Sequence, residues 1–181
     1  KGLGMAMGQD PALVEEIVSS VKAAVSVPVV AKLTPNVPDI GVIAEAAEKG
    51  GADAICAINT MGPEQYNSHG FPILSNKKGG VSGKGIMSAA LEGVSRIREA
   101  VRCPIIACGG ISGANDVRQF LKSGASVFGI GSALVGMTTA EIATYFQVLT
   151  KDLENQNDES ESLIRYDIDM EFRPVKLVKN E

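Results

Sequence analysis

Hydrophobic and polar positions along this chain follow two alternating patterns. Short apolar runs rich in β-branched residues are followed by turns rich in Gly or Asn, and then by stretches with apolar residues at helical spacing. The apolar runs predict strands at 27–33, 54–58, 104–108 and 126–130. The helical spacing predicts helices that begin at 10–11 and cover 39–49, 88–101, 114–123 and 139–153.

Strictly alternating helices and buried strands predict an α/β fold with a parallel sheet and right-handed crossovers. A doubly wound sheet and a (β/α)8 TIM barrel both fit this order. Polar residues and glycines follow every strand, so they collect at the carboxyl ends of the strands. This favours the barrel, because barrel active sites are built on the face formed by those ends. The four strands are half of the eight that a barrel needs, so either two half-barrels pair or the other half lies elsewhere.

The last part of the chain has a different character. Residues 151–162 are polar and mostly acidic, which predicts a linker in solvent. Residues 163–181 begin with alternating apolar and charged positions, which predicts a C-terminal extension that forms a β-strand. Residues 1–150 are therefore expected to form the half-barrel.

Composition and charge exclude several classes of function. The formal net charge of −4 and the pI near 5.1 argue against a nucleic-acid partner. No apolar run approaches the roughly 18 residues of a membrane span, so no membrane partner is expected. Three cysteines in apolar settings are expected to be reduced packing groups in a cytoplasmic protein, and none has zinc-ligand spacing. With one histidine, a Ser-His-Asp or Cys-His site is not expected.

Three polar residues at strand ends are candidates for ligand recognition. Lys32 lies in an apolar strand, where a buried ammonium needs an anionic partner. That partner is either a bound anion on the barrel axis or a carboxylate from another strand, unless the side chain reaches the rim. Asn59 and Thr60 offer donors and acceptors that suit an amide or imide edge, or they are simply turn residues.

Two glycine turns are candidates for a phosphate site. Gly109-Gly110 and Gly131-Ser132 follow successive strands and precede predicted helices, so their backbone N–H groups can form an anion nest. The glycine-rich segment 79–83 permits close approach to a flat ligand or forms a flexible loop.

Five stretches together resemble the dihydroorotate dehydrogenase family of flavin enzymes. They occur in the family's order and spacing between residues 1 and 150: AKLTPNVPDI (31–40), AINT (57–60), PILSNKKGGVSG (72–83), PIIACGGI (104–111) and GIGSAL (129–134). The third stretch is more similar to the NAD-linked subclass of class 1 than to the fumarate-linked one. The resemblance implies that this chain is the C-terminal half of an FMN-binding (β/α)8 barrel.

The resemblance also implies an activity and a set of site residues. The activity is flavin-dependent oxidation of dihydroorotate to orotate in pyrimidine biosynthesis. At the flavin ring, the implied FMN contacts are Lys32, Ile58 and Gly83. At the FMN phosphate, they are Gly109, Gly110, Gly131 and Ser132. Asn59 and Thr60 would bind the pyrimidine. The catalytic base, a Cys or Ser in the family, is expected upstream of Lys1, and none of the three cysteines occupies its position.

Partners and alternatives follow from the same comparison. Residues 172–181 faintly resemble the opening strand of a flavin–iron–sulfur electron-transfer subunit, or they add an edge strand to the barrel. Segment 62–70 departs from the usual family loop. An open half-barrel exposes strand edges, so a homo-oligomer is expected. The alternatives are a dihydropyrimidine dehydrogenase-like flavin domain and a non-catalytic half-barrel that binds a phosphate compound.

Overall fold

The computed structural model describes residues 7–62 and 66–155. Its helices are α1 (Pro11–Ala24), α2 (Ile40–Lys49), α3 (Met87–Ala100), α4 (Ala114–Lys122) and α5 (Thr139–Glu154). Its strands are β1 (Val30–Lys32), β2 (Ala54–Ala57), β3 (Ile105–Cys108) and β4 (Val127–Gly129). Short 3₁₀ turns cover Lys84–Ile86 and Ser132–Leu134.

In the described part of the chain, the four strands form one parallel sheet in the order β1-β2-β3-β4. Each strand is joined to the next through a helix, so the predicted alternation of parallel strands and helices is confirmed. This α/β arrangement is consistent with part of a TIM barrel. The strands are shorter than predicted, because the apolar runs continue into the turns on either side.

Local sequence signals determine where the helices begin. The Asp10 side chain accepts hydrogen bonds from the N–H groups of Ala12 and Leu13, and Pro11 occupies the first turn of α1. At α5, the side chain of Thr138 and that of Glu141 form a capping box. Both helix starts agree with the prediction from the sequence.

The two faces of the sheet differ in burial. Ile55, Ala57, Ile105 and Ala107 are fully buried and belong to the core formed with the helices. The alternate residues lie on the opposite face of the sheet, where the outer strands are open: Val30 of β1 is 45% exposed. Hydrophobic burial therefore attaches the helices to one face, and the described residues leave the other face uncovered.

Burial differs from residue to residue among the sequence candidates. Lys32 is exposed in the described chain, where β1 has only one neighbour and its side chain lies on the open face, which fits the alternative that this side chain is not buried. Cys56 is buried as expected, but Cys103 and Cys108 are only partly buried.

The tail is described only in part. Residues 151–154, predicted as the start of the linker, continue helix α5. The rest of the linker, to residue 162, and the extension 163–181 lie outside the described residues. No helix among the described residues is long and apolar enough to cross a membrane.

Candidate functional site

A cavity of about 490 Å³ lies at the carboxyl ends of the four strands. It brings together all nine residues that the sequence singled out, although they come from the end of β1 and from the segments after β2, β3 and β4. These residues are Lys32, Ile58, Asn59, Thr60, Gly83, Gly109, Gly110, Gly131 and Ser132. Ser82, from the segment 79–83 considered for a flat ligand, also lines the cavity. Further lining residues that sequence reasoning missed include Lys84, Cys108 and Ser112.

The turn after β3 requires glycine at two successive positions. Gly109 has φ of +126°, and a Cβ there would lie 2.8 Å from the Cβ of Ala90. Gly110 has φ of +81°, and a Cβ there would lie 2.8 Å from the Cβ of Met87 in α3. Because L side chains rarely adopt these angles, the glycines let the backbone pass close to α3 and face the cavity.

The turn after β4 has a more open geometry. Gly131 has a negative φ of −128°, and a Cβ at this position would meet no atom within 4 Å. Ser132 begins the 3₁₀ turn, and its hydroxyl donates to the Ser82 hydroxyl oxygen at 3.0 Å. That bond joins the long loop after β2 to the end of β4.

The backbone N–H groups of Gly110 and Gly131 lack backbone carbonyl partners within residues 7–62 and 66–155. Buried or ligand-facing backbone donors normally find an acceptor. Two such donors on neighbouring turns form a concave arrangement that suits an anion.

A buried carboxylate holds the turn after β3 in place. Asp116 is 6% exposed; it accepts hydrogen bonds from the N–H and the hydroxyl of Ser112, both at 2.9 Å, and pairs with Lys84. Burial acts to raise the pKa of Asp116, but the bonds from Lys84 and Ser112 outweigh it and the pKa is lowered. Sequence reasoning missed this residue, although an acid in the first turn of a helix after a glycine turn was an available signal.

Asn36 organises the loop after β2. Its side-chain amide donates to Thr34 Oγ1 at 3.1 Å and to the Thr60 carbonyl at 3.3 Å, and its Oδ1 accepts from the Gly62 N–H at 3.0 Å. Asn59 Oδ1 accepts from the Thr60 N–H at 2.8 Å. These bonds fix the backbone from which the exposed Asn59 and Thr60 side chains meet the cavity.

Lys32 stands at the end of β1, beside Cys56 in the strand register. Among the described residues no carboxylate forms an ion pair with Lys32. The carboxylate partner considered from the sequence is therefore not found in this part of the chain. The Lys32 ammonium therefore lines the cavity without a carboxylate partner in the described chain.

The sequence matches a family model described as dihydroorotate dehydrogenase over residues 1–151. This chain belongs to the dihydroorotate dehydrogenase family. The family resemblance drawn from the five sequence stretches is thereby confirmed.

Curated relatives of two types are similar to this chain. The catalytic subunit of dihydroorotate dehydrogenase B (NAD(+)) from Methanocella arvoryzae is 47% identical over 135 residues, which cover 74% of this chain and 45% of the relative. The same subunit from Pyrococcus horikoshii gives the same values. Dihydroorotate dehydrogenase A (fumarate) from Lacticaseibacillus paracasei is 46% identical over 131 residues, which cover 72% of this chain and 45% of the relative. The chain thus spans somewhat less than half the length of these relatives.

Proposed function

We propose that this chain supplies the FMN site and part of the pyrimidine site of an enzyme that oxidises dihydroorotate to orotate. The observation that carries the proposal is the meeting of two glycine turns, an Asn-Thr pair and a lysine that forms no ion pair within the described residues, all around one cavity. Membership of the family gives this arrangement its chemical interpretation.

The proposed phosphate grip consists of the backbone of Gly109, Gly110 and Gly131 together with Ser132. The N–H groups of Gly110 and Gly131 have no backbone acceptor in the described chain, and the Ser132 hydroxyl lies beside them. Hydrogen bonds to a charged acceptor contribute about 1.5–3 kcal/mol each. The cavity is also within the range of about 300–1,000 Å³ that is usual for small ligands. The residues present therefore fit a phosphate-bearing cofactor.

The proposed flavin contacts are Lys32, Ile58 and Gly83. Bound FMN would supply the hydride acceptor for the reaction. Ile58 is 3% exposed and gives an apolar surface, whereas Gly83 lets the backbone approach a flat ring without a side chain. Lys32 places a positive charge at the cavity, which stabilises negative charge that develops there.

The proposed pyrimidine contacts are Asn59 and Thr60. An amide side chain both donates and accepts, as the imide edge of dihydroorotate requires. The bonds that Asn36 makes to this loop hold both residues in position, so Asn36 is proposed as a positioning residue.

Two further components of the enzyme stay predictions. The base that removes a proton from the substrate is expected in the segment that the family places before Lys1. An electron-transfer subunit is proposed as a partner, because two relatives are named as catalytic subunits of the NAD(+) enzyme.

The first test compares FMN with riboflavin, which lacks the phosphate. Each is titrated into the purified chain while flavin fluorescence is recorded. If the glycine turns bind the phosphate, FMN should bind at least about ten-fold more tightly, because one charge-assisted hydrogen bond is worth about that factor. Equal affinities would reject the phosphate grip.

The second test addresses the substrate. The chain, joined to the upstream segment of a relative, is loaded with FMN and mixed anaerobically with dihydroorotate or dihydrouracil. Flavin bleaching by dihydroorotate supports the proposal. Bleaching only by dihydrouracil would favour a dihydropyrimidine dehydrogenase-like domain, and binding of FMN without bleaching by either would favour a non-catalytic phosphate binder.

A further inference from the structure

A second lysine, Lys84, lies at the cavity beside the proposed phosphate grip. It begins the 3₁₀ turn Lys84–Ile86 and lines the cavity together with Gly110 and Gly131. Its carboxylate partner, Asp116, is 32 residues further along the chain, so no local pattern in the sequence marks the pair.

The position of Gly83 sets Lys84 next to the phosphate grip. A Cβ at Gly110 would lie 3.0 Å from the Gly83 carbonyl oxygen, and a Cβ at Gly83 would lie 3.7 Å from the Ser132 Cβ. Gly83 therefore packs against both of the turns proposed to bind phosphate. Because Lys84 is the next residue in the chain, it belongs to the same end of the cavity.

A buried carboxylate holds the Lys84 side chain. Asp116 Oδ1 accepts a hydrogen bond from Lys84 Nζ, and Oδ2 accepts from the N–H and the hydroxyl of Ser112, both at 2.9 Å. Ser112 also lines the cavity, so Asp116 joins the lysine to the turn after β3. A long lysine side chain loses much conformational freedom when it binds a ligand, and the bond to Asp116 removes part of that freedom beforehand.

The carboxylate is the buried end of this ion pair and the ammonium is the open end. The Asp116 side chain is 9% exposed, whereas the Lys84 side chain is 60% exposed. An ammonium group has three N–H donors, and the bond to Asp116 uses one of them. The contacts that hold Lys84 all join neighbouring segments of this chain, so none of them depends on the uncovered face of the sheet.

We propose that Lys84 is a further binding residue of the cofactor site, whose ammonium, positioned by Asp116, binds the FMN phosphate beside the two glycine turns. This inference rests on the proposed function, because it takes FMN as the ligand. A phosphate monoester carries a charge of about −1.5 to −2 at neutral pH. Backbone N–H groups supply only partial positive charges, so a full positive charge adds to what they contribute.

A role in neutralisation alone makes a different prediction. In that alternative, Lys84 does not touch the phosphate and only cancels the charge of Asp116, which would otherwise repel an anion. Loss of the lysine charge weakens phosphate binding in both cases. Removal of both charges separates them, because no repulsion from Asp116 then remains.

The test titrates FMN and riboflavin into the full chain and its variants while flavin fluorescence is recorded. Lys84→Gln should weaken FMN binding about five-fold or more, a modest factor because water partly screens the exposed ammonium. Riboflavin affinity should not change, since riboflavin has no phosphate. Lys49→Gln is the matched control: the Lys49 side chain is also 60% exposed and pairs with a carboxylate, that of Glu45, but it lies in α2 and does not line the cavity. It should leave both affinities unchanged.

The double variant Lys84→Gln/Asp116→Asn decides between direct binding and neutralisation. Asparagine keeps an oxygen that accepts from Lys84, so Asp116→Asn alone is the reference. If Lys84 binds the phosphate, the double variant should bind FMN more weakly than this reference, by about five-fold or more. Equal affinities of the two variants would overturn the inference, as would unchanged FMN affinity in Lys84→Gln.

Failure of the proposed function gives a separate result. An unmodified chain that binds FMN no more tightly than riboflavin would reject the phosphate grip and, with it, the role of Lys84. An unmodified chain that prefers FMN, together with a Lys84→Gln variant of equal preference, would reject the role of Lys84 alone.

Discussion

A methyl group added at either of two cavity glycines should have opposite consequences for stability and binding. Gly109→Ala should destabilise the fold, whereas Gly131→Ala should leave the fold intact and impair ligand binding. Gly109 directly follows β3, Gly131 follows β4 after one residue, and both line the cavity, so the comparison is between two glycines of the same site.

The expected cost of Gly109→Ala has two parts. A residue held in a sparsely populated backbone region costs about 1–3 kcal/mol, and φ at Gly109 is +126°. The new Cβ would also lie 2.8 Å from the Cβ of Ala90, which is fully buried, and such overpacking costs about 1–3 kcal/mol. The free energy of unfolding should therefore fall by about 2–6 kcal/mol, a large fraction of the total for an ordinary domain.

Gly131→Ala should behave differently because a Cβ there meets no atom within 4 Å. Substitutions in such surroundings usually change stability by no more than about 0.5 kcal/mol. In the proposed site the Gly131 N–H binds the FMN phosphate, and a methyl group on the same residue would crowd that phosphate. Loss of one charge-assisted hydrogen bond, about 1.5–3 kcal/mol, should weaken FMN binding about ten- to one-hundred-fold.

Two measurements check this comparison. Thermal unfolding followed by circular dichroism gives the stability of both variants, and titration monitored by flavin fluorescence gives the affinity for FMN. Normal FMN affinity in Gly131→Ala would refute the phosphate grip. Unchanged stability in Gly109→Ala would refute the argument that this turn needs glycine.

Three further predictions address the core, the buried carboxylate and the lysine at the cavity. Phe120→Ala removes a fully buried ring and should cost about 3–5 kcal/mol, seen as a fall in Tm of about 6–20 °C. Asp116→Asn should cost about 1–3 kcal/mol at neutral pH. Because folding lowers the pKa of Asp116, the stability that its charge contributes is complete above the ordinary carboxyl pKa of about 4 and disappears as the pH falls through the lower folded value. The free energies of unfolding of wild type and variant, measured in urea, should therefore converge at acid pH. A difference that stays constant with pH would contradict the role of the charge. Lys32→Gln should leave Tm within about 1 °C, because the Lys32 side chain is exposed. In the chain joined to the upstream segment of a relative, the same substitution should slow flavin reduction by dihydroorotate about ten-fold or more. The control Lys49→Gln, in α2, should not slow it.

Patterns that act over a few residues predicted much of the fold. The capping residue Asp10, a threonine cap at 138 or 139 and the glycine turns marked helix ends within a residue or two, and Thr138 is the cap in the structure. The apolar runs located all four described strands, because parallel strands are covered by helices and leave a strong hydrophobic signal. Strand ends were less well predicted, since an apolar run does not show where pairing stops.

The candidate site likewise contains residues that local sequence patterns predict and residues that only long-range contacts reveal. Gly131 and Ser132 could be selected from the sequence because glycine turns after strands are local features. Asn36 could not, since its importance comes from hydrogen bonds to another loop. Asp116 carried only the general signal of an acid in the first turn of a helix, and its pairing with Lys84 and Ser112 was not visible in the sequence. The exposure of Lys32 also depended on a distant property, namely that within the described residues its strand has a neighbour on only one side.

The sequence alone determined the order of elements, the parallel sheet, the family and the set of turns that meet at the cavity. These properties follow from hydrophobic period, capping and short motifs, each of which acts within about ten residues. Tertiary structure alone decided which side chains touch. Parallel pairing of β2 with β3 brought Cys56 to Cys108, and the packing of α4 brought Asp116 to Lys84, because strand register and helix packing join residues that are far apart in the chain.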